Sequence, residues 1–155
     1  MNTIHLLLYA TPSDIPPFRE ATKSLQADVQ IITSPSQLAV IGQTWSTTDH
    51  AVLIIDTRIV TRELFTVIVE QRARIRCRVD MVLYGESTAS YVIEARQTDV
   101  ATVIPQPDIG AVVREITAKF GIPSIDTHTA VLAVGSAKGG VGKSLLICRL
   151  AEALA

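Results

Sequence analysis

Apolar residues gather in short runs along this chain, at 4–9, 29–32, 51–55, 81–84 and 101–104, and the segments between them are amphipathic. Each run has strand length and is bounded by turn formers, so each predicts a strand. Their near-continuous apolar character predicts a sheet covered on both faces, since a half-exposed strand alternates apolar with polar. Helix cues lie between the runs. Pro16-Pro17 opens a helix through about residue 25, and Ser34-Pro35-Ser36 supplies a cap ahead of Gln37-Leu38-Ala39-Val40-Ile41. Residues 62–75 place Leu64, Val67, Ile68 and Ile75 on one stripe, which leaves Phe65 and Val69 off it as a partner surface. Residues 108–120 repeat Ile109, Val112, Val113, Ile116 and Phe120 at helical spacing and stop at Gly121 and Pro123. Strands alternating with helices are the signature of βα units feeding a parallel sheet. The expected fold class is therefore α/β, a five-stranded parallel sheet with helices on both faces, filling residues 1–121.

Composition narrows the function classes. With 48% hydrophobic and 19% charged residues in 155, the chain can bury one full core with a small remainder. A formal net charge of -1 provides no long-range field for nucleic acid, so no nucleic-acid partner is favoured. Trp45 and the other aromatics are too scattered for a base-stacking platform. The thiols Cys77 and Cys148 form no CxxC pair and fit a reducing, cytoplasmic setting. The first apolar run ends at Thr11-Pro12 behind no basic stretch, and so reads as a strand and not a leader. No apolar run approaches the ~18 residues of a membrane span.

Residues 122–129 carry a proline and small polar groups without a sustained period, and read as a linker. A sixth apolar run at 130–134 leads into Lys138-Gly139-Gly140-Val141-Gly142-Lys143-Ser144 and a last helical stretch, 143–155. A strand, a glycine-rich turn and a helix in that order bind phosphate, because small residues let the backbone wrap close while amides and the positive helix end face the anion. Lys143 is placed to reach the β and γ phosphates of ATP, and the Ser144 hydroxyl to help hold Mg²⁺. The strict phosphate-loop pattern needs glycine where Ala137 stands. The segment instead resembles the deviant loop K-G-G-x-G-K-[ST] of the ParA/MinD ATPases, matched at Lys138, Gly139, Gly140, Gly142, Lys143 and Ser144, with Leu145 in place of the usual Thr or Ser. The resemblance implies a nucleotide-sandwich homodimer in which Lys138 reaches the partner's phosphates. An ATPase of this class needs a full sheet and a second acidic motif. Residues 130–155 are thus expected to be the start of a domain in a longer protein, an ATPase only when complete.

The first domain has its own candidate. Asp56 ends the third predicted strand, where receiver domains of response regulators carry their phosphoacceptor, and the five βα units resemble that family. The family's acidic pair after the first strand is replaced by Tyr9-Ala10-Thr11, with Asp14 nearest. Its Thr or Ser after the fourth strand falls at about Gly85, ahead of Ser87 and Thr88, and its Lys-Pro becomes Gln106-Pro107. With the Mg²⁺ carboxylates and the lysine gone, Asp56 is expected to cap the following loop, and the domain to serve protein contacts.

Arg72, Arg74, Arg76 and Arg78 alternate as a basic edge, read as solvated, with an acidic partner or phosphate as the sharper reading. His5, His50 and His128 share no metal-ligand spacing. Receiver-like domain, linker and ParA/MinD-type loop in this order resemble the pilus-assembly localisation ATPases called TadZ or CpaE. That resemblance implies a cytoplasmic, MgATP-dependent homodimer at a pole or membrane site, recruiting the secretion machinery of Flp (tight adherence) pili. A phosphorylatable receiver and a partitioning ATPase are the alternatives.

Overall fold

A computed structural model of the chain describes residues 3–125. They form five strands, β1 (Ile4–Tyr9), β2 (Asp28–Ile31), β3 (His50–Asp56), β4 (Arg78–Tyr84) and β5 (Thr102–Ile104). The helices are α1 (Ile15–Thr22), α2 (Ser36–Gly42), α3 (Arg62–Arg72), α4 (Ser90–Gln97) and α5 (Ile109–Phe120). All strand pairings are parallel and the sheet order is β2-β1-β3-β4-β5, the doubly wound, flavodoxin-like arrangement. The expected α/β class is the observed one.

Strand alternation divides the core in two. Leu7, Leu53, Ile55, Met81 and Leu83 face α2, α3 and α4, whereas Leu6, Leu8, Val52, Ile54 and Val82 face α1 and α5. Two covered faces account for the unbroken apolar strands. The edge strands β2 and β5 are the exceptions, with partly exposed positions.

Several elements differ from the sequence expectation. α3 ends at Arg72, three residues short of Ile75, and its buried positions are Phe65 and Ile68. Phe65 is 8% exposed and packs on Tyr91, while Val67 is 40% exposed. The supposed partner face is thus the core face, because Ile75 belongs to the loop and had rotated the assumed stripe. α2 has no side-chain cap at Pro35; Gln37 reaches back so that its Oε1 accepts from Thr33 N at 2.8 Å and Ser34 N at 3.3 Å. α4 had no named cue and is held by Tyr91, Val92 and Ala95. α5 behaves as read: Asp108 caps its start at Gly110 N, 2.9 Å away, and Gly121 ends it in the left-handed region at φ 61°.

Past Gly121 the packing runs on. Ile122 is buried, and Gln26 N donates to Pro123 O at 2.8 Å. Among the described residues, no helix is long and apolar enough to cross a membrane.

Candidate functional site

In an open parallel sheet the ligand crevice lies at the carboxyl ends of the strands where their order reverses, here between β1 and β3. Asp56 is the last residue of β3, and its register partner on β4 is Tyr84. After β1, a 3₁₀ turn over Pro12–Asp14, closed by Asp14 N donating to Thr11 O at 3.0 Å, brings Asp14 into the same group.

What joins them is Arg58. Its backbone N donates to Asp56 Oδ1 at 2.9 Å, its Nε to the same oxygen at 2.8 Å, and its Nη2 to Asp56 Oδ2 at 2.9 Å. The first contact is an Asx turn, the local loop cap expected of Asp56. The other two form a bidentate fork, the strongest geometry between guanidinium and carboxylate. Nη2 also reaches Asp14 Oδ2, which in turn accepts from Tyr84 Oη at 2.6 Å. The Arg58 guanidinium lies 5.8 Å from the centre of the Tyr84 ring.

Burial sets the energetics of this cluster. Asp56 is 0% exposed, Asp14 nearly buried, and the Arg58 side chain 39% exposed. A carboxylate at Asp56 has no solvent to pair with, and the fork supplies donors to both of its oxygens. The hydrogen bonds to Asp56 push the Arg58 pKa up, against a smaller opposing effect of burial. Burial, then the bond to Asp14, pushes the Tyr84 phenol well above its ordinary value, which fixes it as a donor.

The surrounding loops are tied to the cluster. Thr57 Oγ1 sits 3.0 Å from Tyr84 O and 2.7 Å from Glu86 O, holding the turn after β3 to the turn after β4. Gly85 lies between them at φ 105°; a Cβ there would stand 3.2 Å from Thr57 Oγ1 and 3.3 Å from Asp56 Oδ1. Tyr91 Oη donates to Val60 O at 2.9 Å and binds α4 to the same turn. Chemically, the arrangement is a brace: neither oxygen of Asp56 is exposed, and a built-in cation stands beside it.

Of the residues named from sequence, Asp56 and Asp14 come together, and Gly85 adjoins them. Thr88 turns away to Glu86, 2.9 Å distant, and Gln106 is exposed. Arg58 and Tyr84 were not anticipated. The available signal was the Asp-x-Arg spacing at a strand end, which places a guanidinium within reach of its own Asx turn. Lys138, Gly139, Gly140, Val141, Gly142, Lys143 and Ser144 lie outside the described residues, as do His128 and Cys148.

The remaining histidines sit at the opposite end of the sheet. His5 Nδ1 is 2.9 Å from Asp28 Oδ2, its ring stacks on Trp45 at 4.4 Å, and His50 Nε2 is 2.6 Å from Asp80 Oδ2. Each has its own carboxylate, and no group of three or more metal-ligating residues forms among the described residues.

No family model matches the sequence, and no curated protein matches it. Among solved structures, a de novo designed Rossmann 2x3 fold protein superposes with a TM-score of 0.53 at 14% identity, over 85% of this chain and 100% of that one. The sugar isomerase domain of the RpiR transcription factor from Sphaerobacter thermophilus gives a TM-score of 0.46 at 14% identity, covering 77% of this chain and 69% of that one. A sugar-phosphate isomerase-like protein from Listeria monocytogenes gives 0.39 at 15%, covering 79% and 72%. At these identities the designed protein's likeness is one of fold alone, and the other two carry no argument.

Proposed function

We propose that residues 3–125 are a receiver-like contact module, freed from phosphotransfer, in an ATP-dependent localisation switch of the TadZ or CpaE kind. The observation that carries the contact role is the fork of Arg58 on the fully buried Asp56. Attack on a phosphoryl donor needs an open carboxylate oxygen and a cation free to meet the incoming charge. Here the oxygens are enclosed, and the adjacent cation is spent on two carboxylates.

The ATP-dependent half of the reading rests on the sequence Lys138-Gly139-Gly140-Val141-Gly142-Lys143-Ser144 and its resemblance to ParA/MinD loops. On this reading MgATP drives homodimerisation in the cytoplasm. The receiver-like module adds contacts to the dimer or to pilus secretion proteins at a pole or membrane site. A partitioning ATPase shares the loop and differs in needing a broad DNA-binding surface.

The test is MgATP binding by the intact gene product beside its Lys143→Ala variant. Binding by the first and loss in the second are expected. If neither form binds nucleotide, the switch reading fails and the contact module stands alone.

A further inference from the structure

The edge opposite Asp56 carries an unbalanced charge. From the last residue of α3 into β4 the chain reads Arg72-Ala73-Arg74-Ile75-Arg76-Cys77-Arg78-Val79. Ile75, Cys77 and Val79 are buried while Arg74, Arg76 and Arg78 are exposed, so alternation turns successive cations outward. At the start of β4 and β5, Arg72, Arg78 and Lys119 line a hollow of about 210 Å³, together with Thr102, Asp80 and Asp99.

Asp80 does not neutralise the other cations, because it is already engaged by His50 at 2.6 Å and by Arg78 at 2.9 Å. Arg72 makes a long 3.4 Å bond to Val100 O, and Lys119 bonds Thr102 Oγ1 at 2.6 Å. Both are met by neutral oxygens. By contrast Arg58, Arg62 and Lys23 each have a carboxylate partner. Helix dipoles explain part of this, since Arg72 and Lys119 stand in the last turns of α3 and α5, where a cation is favoured. Arg74 and Arg76 lie beyond the end of α3 and outside the hollow, and add to the positive charge of this end. Of the lining carboxylates, Asp99 is the one left to oppose Arg72 and Lys119.

We propose that this hollow is a binding site for a single phosphate group. Guanidinium forks and an ammonium suit a tetrahedral dianion, which can accept from several donors at once. A hollow of this size accommodates a phosphoryl group. The proposal rests on residues 72–119 alone and does not depend on the activity of the loop at 138–144.

The test uses the whole 155-residue chain. Amide spectra are recorded during titration with inorganic phosphate, against chloride at matched ionic strength. In parallel, sedimentation is measured with phosphatidylcholine vesicles with and without phosphatidylserine. The expected result is shifts confined to the lining residues 72, 78, 80, 99–102 and 119, with affinity falling about a hundredfold in Arg72→Gln/Lys119→Gln, the loss of two charge-assisted contacts at roughly tenfold each. Binding to the anionic vesicles alone, lost in the same variant, assigns the phosphate to a lipid headgroup. If neither probe binds beyond the chloride control, or the variant binds as well as the parent, the proposal is overturned.

Discussion

Arg58 takes hold of Asp56 from both sides of the carboxylate, with Nε on Oδ1 at 2.8 Å and Nη2 on Oδ2 at 2.9 Å, from only two residues along the chain. The pair is local in sequence, yet Nη2 goes on to Asp14 in the loop after β1, and Tyr84 at the end of β4 donates to that same carboxylate. One side chain thereby braces the ends of three strands. Removing it leaves the buried carboxylate without its side-chain donors. Arg58→Ala is expected to cost about 1–3 kcal/mol, the penalty of leaving buried acceptors unpaired. In urea unfolding, a double-mutant cycle with Asp56→Asn should show coupling of about 1 kcal/mol or more. Additive effects would mean that the fork contributes nothing.

Tyr84 gives the brace an alkaline limit. Burial and the bond to Asp14 raise its folded pKa above the unfolded value of about 10. A raised folded pKa contributes stability that is fully present below pH ~10 and is lost as pH rises beyond it, because the unfolded chain then releases the proton first. Denaturant unfolding at pH 9 and pH 11 should show a drop that shrinks in Tyr84→Phe. An equal drop in both proteins would remove Tyr84 from the account.

The acid limit lies at the other end of the sheet. Asp80 is held below its ordinary 3.8: burial raises it, and the bonds from His50 and Arg78 together outweigh that. Asp49 is lowered first by the backbone N–H of Thr3 and then by that of Ser46. Depressed folded values contribute stability present above pH ~4 and lost as pH falls through the folded pKa values. Trp45, stacked on His5 at this end, reports the loss by fluorescence. Asp80→Asn should flatten the decline between pH 5 and pH 3; an unchanged slope would show that Asp80 has no share in it.

Two glycines should fail for different reasons when changed to alanine. Gly121 has open space around its missing Cβ but sits at φ 61°, so Gly121→Ala is expected to cost about 1 kcal/mol from backbone strain alone. Gly42 has helical backbone, but a Cβ there would lie 2.7 Å from Cγ1 of Ile75, so Gly42→Ala must displace a core side chain at about 1–3 kcal/mol. Thermal unfolding of the two variants checks both values, and a neutral Gly42→Ala would mean that Ile75 moves freely.

Much of the fold was legible because strand burial is written in composition. The apolar runs of β1, β3 and β4 needed no tertiary information to be recognised as doubly covered strands. Phe65 was misplaced because helical phase depends on where a helix stops, and nothing local marks Arg72 as the end of α3. α4 was silent, since its core contact rests on Tyr91, Val92 and Ala95 within eight residues, too short a window to show a period. That no acidic pair follows β1 beside Asp56 was legible residue by residue, but the contacts that Asp56 makes instead were not. Arg58 reads as an ordinary loop cation until the register of β3 and β4 sets Tyr84 beside Asp56, and the turn after β1 brings in Asp14.

What most needs a direct measurement is whether Asp56 is a structural carboxylate and not a phosphoacceptor. The chain would be incubated with acetyl phosphate and Mg²⁺ and its intact mass determined, beside Asp56→Asn and Arg58→Ala. The account predicts no phosphoryl adduct on the parent chain, with a mass as unchanged as that of Asp56→Asn. An adduct on the parent that disappears in Asp56→Asn would contradict it, because the carboxylate enclosed by Arg58 would then be open to transfer after all.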